Sequence, residues 1–209
     1  MTNEEFTDRI RFDLRTIAEK IPVGSSVLDL GCGDGDLLAW LSEHKGVRGT
    51  GIEMSKKKAA HCISRGLSVL QGDLNREVND YPDNSFDYVI LSQTLQQVYE
   101  PAQLLHSLSR IGRRVVVSFP NFSHYGNRLH LLFKGEAPVS EELPYHWYDT
   151  PNIRVITIAD FRRFTRDVGY NIVEEISIKT DPAATCGEII HWLKTLRATY
   201  GIYVIEKPA

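Results

Sequence analysis

The chain has 209 residues, 42% of them hydrophobic and 24% charged, with a formal net charge of -3; it is long enough for one well-buried domain and short for two complete cores. A charge so near neutrality gives no electrostatic case for a nucleic acid or an anionic membrane as partner. The opening MTNEEFTDRIRFDLRTIAEK is acidic and polar where a secretory signal is basic and then apolar, and no apolar run approaches spanning length, so a cytoplasmic location is the default expectation.

In chain order, Phe6, Ile10, Leu14 and Ile17 recur at helical spacing and predict a first helix. SSVLDLG reads as a buried strand ending in a tight turn, with LLAWLSEH as the following helix. GTGIEMS is a second strand that opens into the lysine-rich helix SKKKAAHCISRG, with Ser55 as its N-cap and Gly66 as its stop. LSVLQGD supplies a third strand, PDNSFDYVILSQTL a turn and a fourth, PAQLLHSLSRIG a helix with a proline start and glycine stop, and RRVVVSFP a fifth strand. From about residue 26 to 119 the pattern is therefore β-α alternation with short connections, which predicts a mostly parallel, doubly wound α/β sheet. Beyond it come a helix around Ile158 to Val168 and two strands, NIVEEISI and TYGIYVIE. These are expected to pair antiparallel at one sheet edge, with the helical-looking EIIHWLKTL between them.

Residues 120 to 156 break this rhythm, being too long for an ordinary β-α connection. Within them LPYHWYDTPNIR, residues 143–154, carries two tyrosines, a histidine and a tryptophan, a composition that argues against disorder. Cys32, Cys62 and Cys186 form no CxxC pair, which predicts reduced thiols and neither a disulfide framework nor a zinc knuckle. His44, His61, His106, His130 and His191 show no spacing such as HExxH, so no metal is expected.

Gly31, Gly33 and Gly35 in VLDLGCGDGDLL follow the first strand and precede a helix, where small residues let backbone approach a ligand at the carboxyl edge of the sheet. Glu53 ends the second strand 20 residues after Gly33, the place from which a carboxylate accepts both ribose hydroxyls of an adenosine. A dinucleotide loop would carry a third glycine where Asp36 stands, and the loop also holds Asp29 and Asp34. Each acid facing a pyrophosphate would cost about 1 to 4 kcal/mol at contact range. A cationic nucleoside such as S-adenosylmethionine, which has no phosphate, suits these acids better, and a nicotinamide dinucleotide is a distant alternative.

Together DLGCGDG, the Glu53 strand end, Asp73 in QGD and FDYVILSQTL resemble the motifs of class I S-adenosylmethionine-dependent methyltransferases. The resemblance implies a seven-stranded Rossmann-like methyltransferase sheet with an antiparallel edge strand. It also implies that Asp29 and the loop backbone, Gly31, Cys32, Gly33 and Gly35, hold the methionine part, with Cys32 a small filler rather than a nucleophile. By the same resemblance Glu53 takes the ribose, Asp73 the adenine amino group, Met54 and Leu74 the two faces of the adenine ring, and Ser92 and Gln93 lie near the sulfonium. SFPNFSHYGNRLHLLFKG and LPYHWYDTPNIR further resemble the MetW family of methionine-biosynthesis proteins, the match running over about residues 22–178. That family shares the methyltransferase fold and is associated with the homoserine O-acyltransferase MetX, whose activity in some bacteria depends on this partner. Residues 179–200 fit the family pattern less well. The expected organisation is a single domain, 1–209, with a ligand-binding core at 21–120, an aromatic insertion at 121–156 and C-terminal edge elements at 157–209.

Two functions follow. In one, the chain binds S-adenosylmethionine and supports the acyltransferase, supplying no acyl chemistry because it has no GxSxG nucleophile elbow. In the other it is an active small-molecule O- or C-methyltransferase with acceptor-side candidates His124, Tyr145, His146 and Tyr148, for which positioning supplies much of the acceleration. SQTL replaces the NPPY-like tetrapeptide after strand four, which disfavours methylation of amide-like nitrogen. The aromatic stretch is accordingly a lid over the pocket, a set of anchors at a protein interface, or a cover on the sheet edge. The partner reading is preferred on the family resemblance, and end-product sensing through retained S-adenosylmethionine binding extends it.

Overall fold

Alternation with period two decides which way each strand faces. Val27, Tyr88, Ile90, Val116, Ile202 and Val204 point into one buried cluster, and their neighbours Leu28, Val89, Leu91, Val115, Val117, Tyr203 and Ile205 into a second on the opposite face. Strands that are apolar on both faces must be covered on both, and helices do so. The computed structural model describes residues 10–181 and 183–208. Its elements run α1 (Phe12–Glu19), β1 (Ser26–Leu30), α2 (Asp36–Lys45), β2 (Arg48–Glu53), α3 (Lys56–Ser64), β3 (Val69–Gln71), α4 (Leu74–Glu77), β4 (Phe86–Ser92), α5 (Pro101–Ile111), β5 (Gly112–Pro120), α6 (Tyr125–Lys134), α7 (Ile158–Asp167), β6 (Asn171–Thr180), β7 (Gly187–Ile189), α8 (Lys194–Arg197) and β8 (Tyr200–Glu206). Phe6, expected in the first helix, lies outside the described residues.

The strands form one sheet in the order β3-β2-β1-β4-β5-β8-β6-β7. The first five are parallel to one another. β8 runs antiparallel to both β5 and β6, so the antiparallel pairing expected at this end is present with β8 inserted between the two. The sheet has eight strands where seven were expected. The additional strand, β7, pairs with β6 through Ile178–Ile189, Lys179–Glu188 and Thr180–Gly187, overlapping the start of the stretch whose apolar spacing suggested a helix. Of that stretch only Lys194, Thr195 and Leu196 are helical, as the start of α8. Edge pairing overrides the local spacing because Asp181 closes the hairpin: its carboxylate accepts from the Cys186 amide at 2.7 Å, and its own amide donates to the Cys186 carbonyl at 2.9 Å.

Local signals account for the remaining boundaries. The Ser55 hydroxyl accepts from the Lys58 amide at the start of α3, and Gly66, at φ +79°, follows its end. Pro101 opens α5. Carbonyls at the end of α1 and just beyond it are satisfied from a distance: the Lys45 ammonium, at the end of α2, donates to the carbonyls of Ala18 at 2.7 Å and Ile21 at 2.6 Å. Both helices, whose Ile17, Ala18, Leu37 and Leu41 lie in one buried cluster with Val27, are thereby tied together on one face of the sheet.

Replacing this ammonium leaves those carbonyls without their charged donor. Lys45→Met is expected to lower the unfolding free energy by about 1–2 kcal/mol in urea denaturation, and an unchanged midpoint would show that water serves those carbonyls equally well.

Candidate functional site

Order β3-β2-β1-β4 places a topological switch point at the carboxyl ends of β1 and β4, the place where open α/β sheets bind ligands. A cleft of about 580 Å³ lies there. The glycines make it possible. Gly31, at φ +74°, sits under Thr94, whose Oγ1 would be 2.7 Å from any Cβ added there, so the turn after β1 and the turn after β4 fit only without that side chain. At Gly33, φ is +60° and a Cβ would meet nothing within 4 Å; what demands glycine is the backbone conformation. Gly35, at φ +80°, faces away from the cleft toward Leu67 and Cys62, so its role is to let the start of α2 pack on α3.

The Glu53 carboxylate closes the loop from the β2 side, accepting from the Gly33 amide at 2.9 Å and the Ser55 amide at 2.7 Å. Asp29 is 3% exposed, lines the cleft, and has no hydrogen-bond donor among the described residues. Burial, with a smaller contribution from Glu53, pushes its carboxyl up to about 7. Burial also pushes the Cys32 thiol up, Asp29 adding to the effect, so the thiol stays protonated and is no nucleophile. Asp34 and Asp36 line the cleft as well, and the Arg65 guanidinium donates to the Asp34 carbonyl and, at 2.8 Å, to the Asp36 carboxylate. Asp36 in the first turn of α2 occupies the helix end that a phosphate would otherwise use.

On the β4 side Gln93 adopts φ +49°, a rare conformation for a residue with a side chain. It is held there from three directions. Its amide donates to the Ser118 carbonyl at 2.9 Å, its side-chain amide donates to Asp13 at 2.7 Å, and its carbonyl accepts from Gln96 at 2.7 Å. Ser92 shares a 3.0 Å hydrogen bond with Ser118. Asp73 caps α4, its carboxylate accepting from the Asn75 amide at 3.0 Å, and it still lines the cleft.

Asp29, Gly31, Cys32, Gly33, Glu53, Met54, Asp73, Leu74, Ser92 and Gln93 thus meet around one cleft, and Gly35 supports it from behind. The acceptor-side candidates do not meet there: His124, Tyr145, His146 and Tyr148 lie outside the lining. His124 instead caps α6, accepting from the Gly126 amide at 3.3 Å, and burial lowers its pKa. Tyr145, Trp147 and Tyr148 are exposed, so these rings neither wall the cleft nor bury themselves on the sheet edge. From the same segment only Pro151 and Ile153 reach the cleft. Arg11, Leu14, Thr94, Gln97 and Tyr99 also line it and were not anticipated. The one signal for the α1 contribution was an acid, Asp13, in register with Ile10 and Ile17 on the buried stripe of that helix. It anchors Arg11 through a 3.0 Å bond from Nε and a second from the terminal nitrogen.

An S-adenosylmethionine-sized nucleoside fits what is present. The buried, unpartnered Asp29 favours a cationic group, Glu53 offers acceptor oxygens for ribose hydroxyls, and Met54 and Leu74 offer apolar faces to a base. Among the described residues no group of three or more His, Cys, Asp or Glu side chains is placed to hold a metal ion. No helix among them is long and apolar enough to cross a membrane.

Comparison with known proteins agrees on the fold and is sharper on the family. A methyltransferase from Thermotoga maritima, described as a possible histamine N-methyltransferase, superposes with a TM-score of 0.67 at 18% identity, covering 94% of this chain and 88% of its own. An S-adenosylmethionine-dependent methyltransferase from Archaeoglobus fulgidus gives 0.67 at 15% identity, covering 99% and 95%. At these identities the likeness speaks for the fold alone. In sequence, the bifunctional methionine biosynthesis protein MetXA/MetW of Rhodopirellula baltica is 38% identical over 176 residues, 80% of this chain, and the match spans 28% of that longer protein. Residues 11–205 match the family described as methionine biosynthesis protein MetW, and the chain belongs to that family.

Proposed function

We propose that this chain binds S-adenosylmethionine in the cleft and acts as the supporting, ligand-sensing partner of a homoserine O-acyltransferase. The methionine-biosynthesis setting follows from the family. The observation that carries the partner reading is the Rhodopirellula relative, in which a MetW part and a MetXA part share one polypeptide. The acid-lined cleft with its buried Asp29 supports the ligand. Acyl transfer itself belongs to the partner, because no GxSxG elbow occurs in the sequence.

Hydrogen bonds connect the cleft to the long insertion. The carbonyl of Gln96 accepts from the amides of both Ile153 and Arg154 at 3.0 Å, and the Gln96 side chain donates to Gln93, which lines the cleft. The long insertion after β5 is therefore tied to the turn after β4. A ligand that favours one arrangement of that turn biases the insertion, and a partner on the insertion biases ligand affinity by the same factor.

The competing reading, an active O- or C-methyltransferase, shares the ligand site and differs in requiring an acceptor beside it. The acceptor candidates drawn from the aromatic segment lie outside the cleft lining, which favours the partner reading.

Calorimetric titration tests the ligand. Wild-type chain is expected to bind S-adenosylmethionine, and Glu53→Ala to weaken it by at least about tenfold, through loss of the ribose acceptor and of the loop anchor. Equal affinities would remove Glu53 from the site, and binding of NAD in place of S-adenosylmethionine would overturn the ligand assignment.

Asp29 gives a pH dependence with a definite sign. Its folded carboxyl holds a proton up to about pH 7, whereas an unfolded aspartate sheds it near pH 4. Affinity for the cationic ligand should rise by about tenfold from pH 5.5 to 7 as Asp29 ionises, and the rise should be largely absent in Asp29→Asn. Folding stability runs the other way: between about pH 4 and 7 the folded chain binds the extra proton, so this group's contribution falls as pH rises. Asp29→Asn should therefore be more stable than wild type at pH 8, with the difference shrinking toward pH 5. The opposite trend in a thermal-denaturation series would mean that Asp29 is ionised and paired.

A further inference from the structure

Helix α6 is built the wrong way round for a helix that serves its own core. Tyr125, Leu129, Leu132 and Phe133 stand at i, i+4, i+7 and i+8, one helical face, and all four are exposed, Leu132 by 73% and Phe133 by 78%. The buried residue of the helix is instead Asn127, whose side chain donates to the Phe122 carbonyl at 3.2 Å. Further along the same insertion Trp147 is 78% and Tyr148 68% exposed.

The insertion holding these groups is firmly rooted. Buried Asn121 donates to the carbonyls of Thr195 at 3.0 Å and Ala198 at 2.8 Å, and the Phe122 amide donates to the Ile156 carbonyl at 3.0 Å, closing the base of the insertion. Four exposed apolar side chains on one face of a helix, carried on a rooted insertion, mark an interaction site.

We propose that the Tyr125–Leu129–Leu132–Phe133 face of α6, together with Trp147 and Tyr148, is the surface on which the homoserine O-acyltransferase docks. The proposal rests on the partner reading above and names where that partner sits. Area supports a stable contact: aromatic side chains present roughly 150–250 Å² each, so Phe133, Trp147 and Tyr148 alone offer on the order of 400 Å². That is about half of the roughly 800 Å² each partner contributes to a standard interface, with Leu129, Leu132 and Tyr125 adding to it. The occupant follows from the Rhodopirellula relative, in which a MetXA part is covalently joined to the MetW part. Aromatic anchors flanked by leucines are also the composition of an interface centre.

The test uses the full chain and its cognate acyltransferase, with affinity read by surface plasmon resonance and self-association by analytical ultracentrifugation. Phe133→Asp and Trp147→Asp replace exposed side chains and should leave the fold and S-adenosylmethionine binding intact. The control is Val23→Asp, an equally exposed apolar position just before β1, at the opposite end of the strands from the cleft. The expected result is wild-type and control binding, with each of the other two variants weaker by at least about tenfold. Wild-type binding with both variants within twofold would overturn the surface and leave the partner reading standing. No binding by wild type would remove the partner reading and the occupant with it. A homodimer lost in Phe133→Asp, with acyltransferase binding unchanged, would overturn the proposal in favour of a second copy as occupant.

Discussion

The constraint on which the structure depends is the convergence of three backbone turns at the carboxyl end of β1. The glycine loop, the end of β2 and the turn after β4 approach so closely that a single Cβ at Gly31 would collide with Thr94. The Glu53 carboxylate joins the first two turns through the Gly33 and Ser55 amides. Ser118 and Asp13 fix the third by holding Gln93 at positive φ. The cost falls on Asp29, a carboxyl buried beside Glu53 with no donor among the described residues. Uncompensated burial of this kind destabilises the fold and favours a cationic ligand, so strain and specificity have one origin.

The central parallel strands were legible in the sequence because strands covered on both faces must be apolar throughout and their connections are short, leaving few alternative readings. The cleft was legible for the same reason, since a glycine turn after the first strand and an acid at the end of the second have one arrangement in such a sheet. What escaped were groups whose position depends on contacts distant in sequence. Arg11 reaches the cleft, and Asp13 holds both it and Gln93, only because α1 packs beside the turn after β4. β7 has three residues, all exposed, and exists because the edge of β6 offers it partners. Helix α6 lies within the stretch read only as a break in the β-α rhythm, and its stripe faces outward where apolar spacing ordinarily marks a buried side.

That outward face and the cleft belong to one connected part of the molecule. Gln96 joins the turn at the cleft to the insertion that carries the face, through Gln93 on one side and the Ile153 and Arg154 amides on the other. An arrangement in which ligand occupancy alters how the insertion is presented needs only small shifts in this turn, because it is already held in a strained conformation by hydrogen bonds. The methyltransferase fold would then serve as a receiver for S-adenosylmethionine, a compound made from methionine, and the chemistry would reside in the protein bound at the insertion.

The most direct measurement is the rate of homoserine acylation by the cognate acyltransferase, alone and with this chain, in the absence and presence of S-adenosylmethionine. The rate is expected to rise when the chain is added and to change again with the ligand. Full activity of the acyltransferase alone, indifferent to both additions, would contradict the partner reading.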